Sequence, residues 1–123
     1  MTNELSEVDK GDFRVFEGKS VLVTGHTGFK GSWLTVWLRS LGANVVGLAL
    51  DPPTSPSHFS STGLSSEIKD LRIDIRDRIA VEKALIAVKP DFVFHLAGQS
   101  LVREAYIDPI ETWNINVLGT LNV

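Results

Sequence analysis

Three glycines at three-residue spacing, Gly25, Gly28 and Gly31, stand between the apolar run Ser20-Val21-Leu22-Val23-Thr24 and a stretch of helical periodicity. The run before them suits a buried parallel strand. After them Trp33, Leu34, Trp37, Leu38 and Leu41 recur at i, i+1, i+4, i+5 and i+8, which places them on one expected buried helix face. Strand, glycine turn and helix in that order build a cradle for a dinucleotide pyrophosphate. One glycine permits the tight turn, one lets backbone approach the phosphates, and one lets helix and strand pack closely. The helix amino end adds free N–H groups and the positive end of its dipole. Gly25, Thr27, Gly28, Phe29, Lys30 and Gly31 are therefore the first candidate cofactor contacts. His26 and Lys30 put two potential cations inside the turn, either beside the diphosphate or directed to solvent.

The rest of the chain repeats the strand–helix alternation. Leu41-Gly42-Ala43 ends the first helix, and residues 45–50 read as a second buried strand closed by Asp51. Residues 52–66, rich in Pro, Ser, Thr and Gly, read as a loop with room for a short helix. Residues 71–74 suit a third strand. Asp77 is a fitting N-cap for a helix running to a stop at Pro90. Residues 92–97 form a fourth apolar run, and a further helix begins at Pro109. This β-α-β-β-α-β-α order predicts an α/β fold, a doubly wound parallel sheet (Rossmann fold) with strand order 3-2-1-4. Residues 1–17 are expected to be a polar leader, and 18–123 a nucleotide-binding domain of which only the N-terminal half is present.

The carboxyl ends of the strands carry the remaining candidates. Asp51 lies about twenty residues beyond the last glycine, where an acid can bond the adenosine ribose hydroxyls. It would repel a 2′-phosphate, and no Lys or Arg stands between Asp51 and Ile68 to hold one, which favours NAD. An Asp opening a Pro-Pro turn is the competing reading. Asp74 is either an acceptor for the adenine amino group or a solvated loop acid. Ala97-Gly98-Gln99 follows the fourth strand, and small residues there would let the nicotinamide ribose approach the backbone, unless Gly98 only serves a tight turn. His95 is expected to be a hydrogen-bonded core histidine, and Trp33, Trp37 and Trp113 to be packing residues.

Several classes are excluded or disfavoured. A net charge of -3 and no basic cluster give no field for nucleic acid. With no cysteine and three dispersed histidines, no metal site is expected. No apolar run reaches a membrane span, so a cytoplasmic protein is expected. The only tyrosine is Tyr106, and four residues on stands Ile110, so no Tyr-x-x-x-Lys base pair is present in these residues.

Thr24-Gly25-His26-Thr27-Gly28-Phe29-Lys30-Gly31-Ser32-Trp33, Asp74-Ile75-Arg76-Asp77, the segment from His95 to Arg103, and Asn116-Val117-Leu118-Gly119-Thr120 together resemble the extended short-chain dehydrogenase/reductases that act on nucleotide sugars. The likeness spans residues 16–123, and in the glycine turn and residues 51–59 it is specifically to the 4,6-dehydratases. It implies NAD as cofactor, CDP-glucose as substrate, and an internal redox cycle that yields CDP-4-keto-6-deoxyglucose. It further implies Asp74 and Ile75 at the adenine, Ala97, Gly98 and Gln99 at the nicotinamide ribose, and Asn116 supporting a catalytic tyrosine from the absent second half. Ser100 and Arg103 become candidates on the substrate side, and the full-length protein is expected to be a lyase and a homo-oligomer. The fragment alone is expected to be inactive. Two other readings stand beside this one: another nucleotide-sugar dehydratase or epimerase, and a non-catalytic NAD-binding sensor.

Overall fold

The computed structural model describes residues 13–123. Four parallel strands, β1 (Ser20–Thr24), β2 (Asn44–Ala49), β3 (Lys69–Arg72) and β4 (Phe92–His95), form one sheet in the order β3-β2-β1-β4. In register, Val21 lies between Val45 and Phe92, and Thr24 between Leu48 and His95. The helices are α1 (Phe29–Ser40), α2 (His58–Thr62), α3 (Arg78–Val88), α4 (Val102–Ile107), α5 (Pro109–Trp113) and α6 (Gly119–Asn122), with a π-helical turn at Asn114–Leu118 joining the last two. Among the described residues no helix is long and apolar enough to cross a membrane.

The period of two along β1 divides the core. Val21 and Val23 face one side with Leu38, Ala43 and Val45, and Leu22 faces the other with Leu48, Ile75 and Ala84. Both faces are thus covered, as an all-parallel sheet requires. Each of the fully buried aliphatic side chains Val21, Leu22, Val23 and Leu48 contributes about 1.5–3 kcal/mol of burial energy. Asp77 caps α3 through its carboxylate, which accepts from Ala80 N, and Asp108 caps α5 in the same way by accepting from Glu111 N.

Four expectations need correction. The buried face of α1 is Gly31, Ser32, Thr35 and Leu38, whereas Trp33 and Trp37 are about half exposed. Small residues let the helix sit close to the glycine turn, and the tryptophans go outside, Trp33 stacked on His58 at 4.3 Å and Trp37 edge-on to Phe13. Trp113 is also exposed. β3 runs over Lys69–Arg72, so Asp74 lies beyond its end. Backbone pairing with β2 selects this polar segment where side-chain pattern favoured 71–74. β4 stops at His95 because Leu96 N and Ala97 N turn to Thr24. Finally, α4 precedes the helix expected at Pro109. The leader expected over 1–17 lies outside the described residues up to residue 12. Beyond it a short 3-10 helix, Arg14–Phe16, brings Phe16 onto the core beside Phe92 and Phe94, so the folded unit takes in residues before Gly18.

Candidate functional site at the carboxyl ends of the strands

The glycine turn is fixed by contact. Gly25 has φ +75° and donates its N–H to Leu48 O, and a Cβ there would stand 2.7 Å from Ala97 N. At Gly31 a Cβ would fall 2.0 Å from Gly25 O, so the third glycine serves helix packing and is buried. No side chain caps the amino end of α1, where Gly28 is the N-cap residue, while Thr27 turns its hydroxyl to Leu50 O at 2.9 Å. Beside that end, at the carboxyl ends of the four strands, lies a cleft of about 280 Å3. Gly25, Thr27 and Gly28 line it, as do Asp74, Ile75, Ala97, Gly98 and Gln99. Leu50, Pro53, Ile73, Arg76 and Ile115 also line it, and sequence reading missed them. They stand at strand ends and on the π turn, and only the fold brings them together.

Other candidates lie elsewhere. Phe29 and Lys30 are exposed at the start of α1 and do not line the cleft, and Phe29 packs edge-on to His58. Ser100 and Arg103 are exposed and outside the lining too. His26 points neither to a diphosphate nor to solvent. It is fully buried, its Nε2 lies 2.7 Å from Asp70 Oδ1, and it occupies space that Gly47 leaves vacant. Burial holds the imidazole below its ordinary pKa despite the Asp70 contact, so the ring is neutral and donates from Nε2. Burial raises the Asp70 carboxyl, but hydrogen bonds from Arg72 and His26 outweigh it and keep it ionised.

Asp51 projects into solvent with its side chain 92% exposed, and its Oδ1 accepts from Arg72 Nη1 at 3.0 Å. The cation that sequence reading did not find between Asp51 and Ile68 thus arrives from β3, where a window along the chain could not include it. Asp74 is gripped by Arg76, whose Nε and Nη2 donate to its two oxygens at 3.0 and 2.6 Å. These bonds hold the Asp74 carboxyl below the usual range. Arg76 also pairs with Glu111 of α5.

Asn116 clasps the loop after β4. Its Oδ1 accepts from Gln99 N at 2.8 Å and its Nδ2 donates to Gln99 O at 2.9 Å. A Cβ at Gly98 would stand 3.2 Å from that Oδ1, so the small residue leaves the clasp room. Thr24 Oγ1 accepts from Leu96 N and Ala97 N, which commits its proton to His95 Nδ1 at 2.7 Å. The ring then donates from Nε2 to Thr120 Oγ1, and Thr120 donates to Asn116 O, a carbonyl of the π turn. His95, held neutral by partial burial, is a strut between sheet and π turn, as its core reading anticipated.

Comparison with known proteins agrees with this architecture. Residues 22–123 match the model of the family described as GDP-mannose 4,6 dehydratase. The chain is 48% identical to CDP-glucose 4,6-dehydratase of Salmonella typhimurium over 112 residues, covering 91% of this chain and 31% of that protein. Among solved structures it is similar to the epimerase Mth375 of Methanothermobacter thermautotrophicus, with TM-score 0.78, 35% identity, and 91% and 32% of the two chains covered. It is also similar to UDP-glucose 4-epimerase of Thermus thermophilus in complex with NAD, with TM-score 0.72, 32% identity, and 84% and 32% covered. The chain spans about a third of the length of these relatives.

Proposed function

Because the chain belongs to the GDP-mannose 4,6 dehydratase family, we propose that it is the NAD-holding part of an enzyme that converts CDP-glucose to CDP-4-keto-6-deoxyglucose. The observation that carries the cofactor reading is the cleft itself. The uncapped amino end of α1 and the bare backbone of Gly25 and Gly28 meet at one wall. An apolar floor runs to Asp74 on one side and Gln99 on the other. That combination suits a diphosphate flanked by two nucleosides. In this reading Gly25, Thr27 and Gly28 hold the diphosphate, Asp74 and Ile75 meet the adenine, Asp51 the adenosine ribose, and Ala97, Gly98 and Gln99 the nicotinamide ribose. Asn116 acts through Gln99 by fixing its backbone. When bound, NAD supplies reversible hydride storage, which allows a 4-hydroxyl to become a ketone and C6 to be reduced within one turnover. The choice of CDP-glucose rests on the 48% identity to the Salmonella enzyme. A lyase working in the cytoplasm follows from the same reading.

The tyrosine of this chain, Tyr106, is 86% exposed on α4 and does not line the cleft, so in this reading the base that takes the proton of the sugar hydroxyl comes from the rest of the full protein. The full protein, incubated with NAD and CDP-glucose, is expected to release water and form the 4-keto sugar. The 123-residue chain alone is expected to bind NAD weakly and turn nothing over. NAD binding by the full protein without loss of water from any nucleotide hexose would favour a sensor. Turnover by the isolated chain would overturn the assignment of the base.

A further inference from the structure

Asp74 meets the cleft with most of its acceptor capacity already engaged. Its Oδ1 accepts from Arg76 N at 2.9 Å and from Arg76 Nε at 3.0 Å. Its Oδ2 accepts from Arg76 Nη2 at 2.6 Å and shares Nε at 3.1 Å. Three N–H donors thus meet a carboxylate that offers about four lone-pair positions, and the position left over is on Oδ2. Arg76 is held from behind by α5, where its Nη1 pairs with Glu111, and Asp108 places Glu111 by accepting from its backbone N–H. The backbone is held separately, since Asn122 of α6 donates to Ile75 O at 2.8 Å and to Arg76 O at 3.3 Å. Asp74 and Arg76 both line the cleft, and the Asp74 side chain is 28% exposed.

Resting on the cofactor reading above, we propose that Arg76 and Glu111 are positioning residues that aim the one free lone pair of Asp74 into the cleft, where it reads the 6-substituent of the purine. A 6-amino group donates to that oxygen. A 6-oxo group, as in hypoxanthine, sets a second acceptor against it and is turned away. The planar guanidinium grips both carboxylate oxygens, so fixing its plane fixes theirs, and the Glu111 pair on Nη1 fixes that plane from the far side. Without Arg76 the negative charge stays beside the purine but loses its direction. The selection between amino and oxo purines is what that direction supplies.

The test is dissociation constants of NAD and of nicotinamide hypoxanthine dinucleotide, which carries the 6-oxo purine in place of adenine, measured by calorimetry on the full protein and its variants without turnover. The unsubstituted protein is expected to bind NAD about tenfold or more tightly than the hypoxanthine dinucleotide, the ratio that one hydrogen bond to a charged group gives. Arg76→Met should cut that ratio to about threefold or less by weakening NAD, with the hypoxanthine dinucleotide kept within about twofold. Arg76→Lys, whose ammonium cannot grip both oxygens, should restore part of the ratio. Glu111→Gln, at a half-exposed site that guards against misfolding of the Arg76 variants, should lower the ratio by a smaller factor in the same direction. An equal loss of affinity for both dinucleotides in Arg76→Met assigns Arg76 to support of the fold and overturns the proposal, as does a ratio that holds or rises. A ratio unmoved by Glu111→Gln overturns the part given to Glu111. Equal binding of the two dinucleotides by the unsubstituted protein overturns the proposal and leaves the cofactor reading standing. Failure to bind either one overturns the cofactor reading and this proposal with it.

Discussion

A missing side chain decides where His26 goes. Gly47 sits on β2 in an apolar run where any aliphatic residue would read equally well, yet a Cβ there would lie 2.3 Å from the imidazole ring. The turn glycines were legible because their spacing and flanks follow from what a phosphate cradle needs. His26 was not, because its partner Asp70 lies 44 residues away and the space it fills is defined by an absence. The same holds for Arg72 and Asp51, 21 residues apart in sequence and joined only by adjacent strand ends. Gly47→Ala is expected to destabilise the protein by about 1–3 kcal/mol through overpacking. It should also loosen the Asp70–Arg72 contacts. A denaturant midpoint unchanged from the parent would show that the ring can move aside freely.

At the scale of elements, strands were placed by their apolar content and misplaced where pairing overrode it, as with the polar start of β3. α4 escaped notice because it spans only Val102–Ile107, buries none of its residues and has no side-chain cap. The π turn was invisible for a different reason. Its extra residue is stabilised by Thr120, which donates to Asn116 O while receiving from His95, and no local signal records that chain. Thr120→Val keeps the shape and removes both bonds. A stability loss of about 1 kcal/mol is expected. Because Asn116 holds the backbone of Gln99, the Gln99 amide should also exchange faster with solvent. Unchanged exchange there, measured by NMR, would separate the π turn from the clasp.

For the whole molecule, strand alternation was enough to give the 3-2-1-4 order, since short right-handed crossovers leave few other ways to cover both faces. Electrostatics adds a response to acid that only the assembled fold possesses. His26 and His95 are both held below their ordinary 6.5, so below that pH the unfolded chain takes up protons that the fold refuses. Stability is complete above that value and falls as the pH drops from it. Asp70 and Asp74, held below 3.8, withdraw a second share at still lower pH. Thermal midpoints should thus decline between about pH 7.5 and 5, and a rise over that interval would contradict neutral histidines in the fold. The parallel register carries a last consequence, for the order in which the chain is made. β1 is synthesised first, but its outer neighbour is paired through Val21 and Phe92, which lie 71 residues apart (92 less 21). At about 5–20 residues per second, one edge of the most apolar strand waits roughly 4–14 s on the ribosome for its partner. Through that interval the N–H and C=O groups on one side of β1 have no sheet partner, the condition in which an open strand edge invites association.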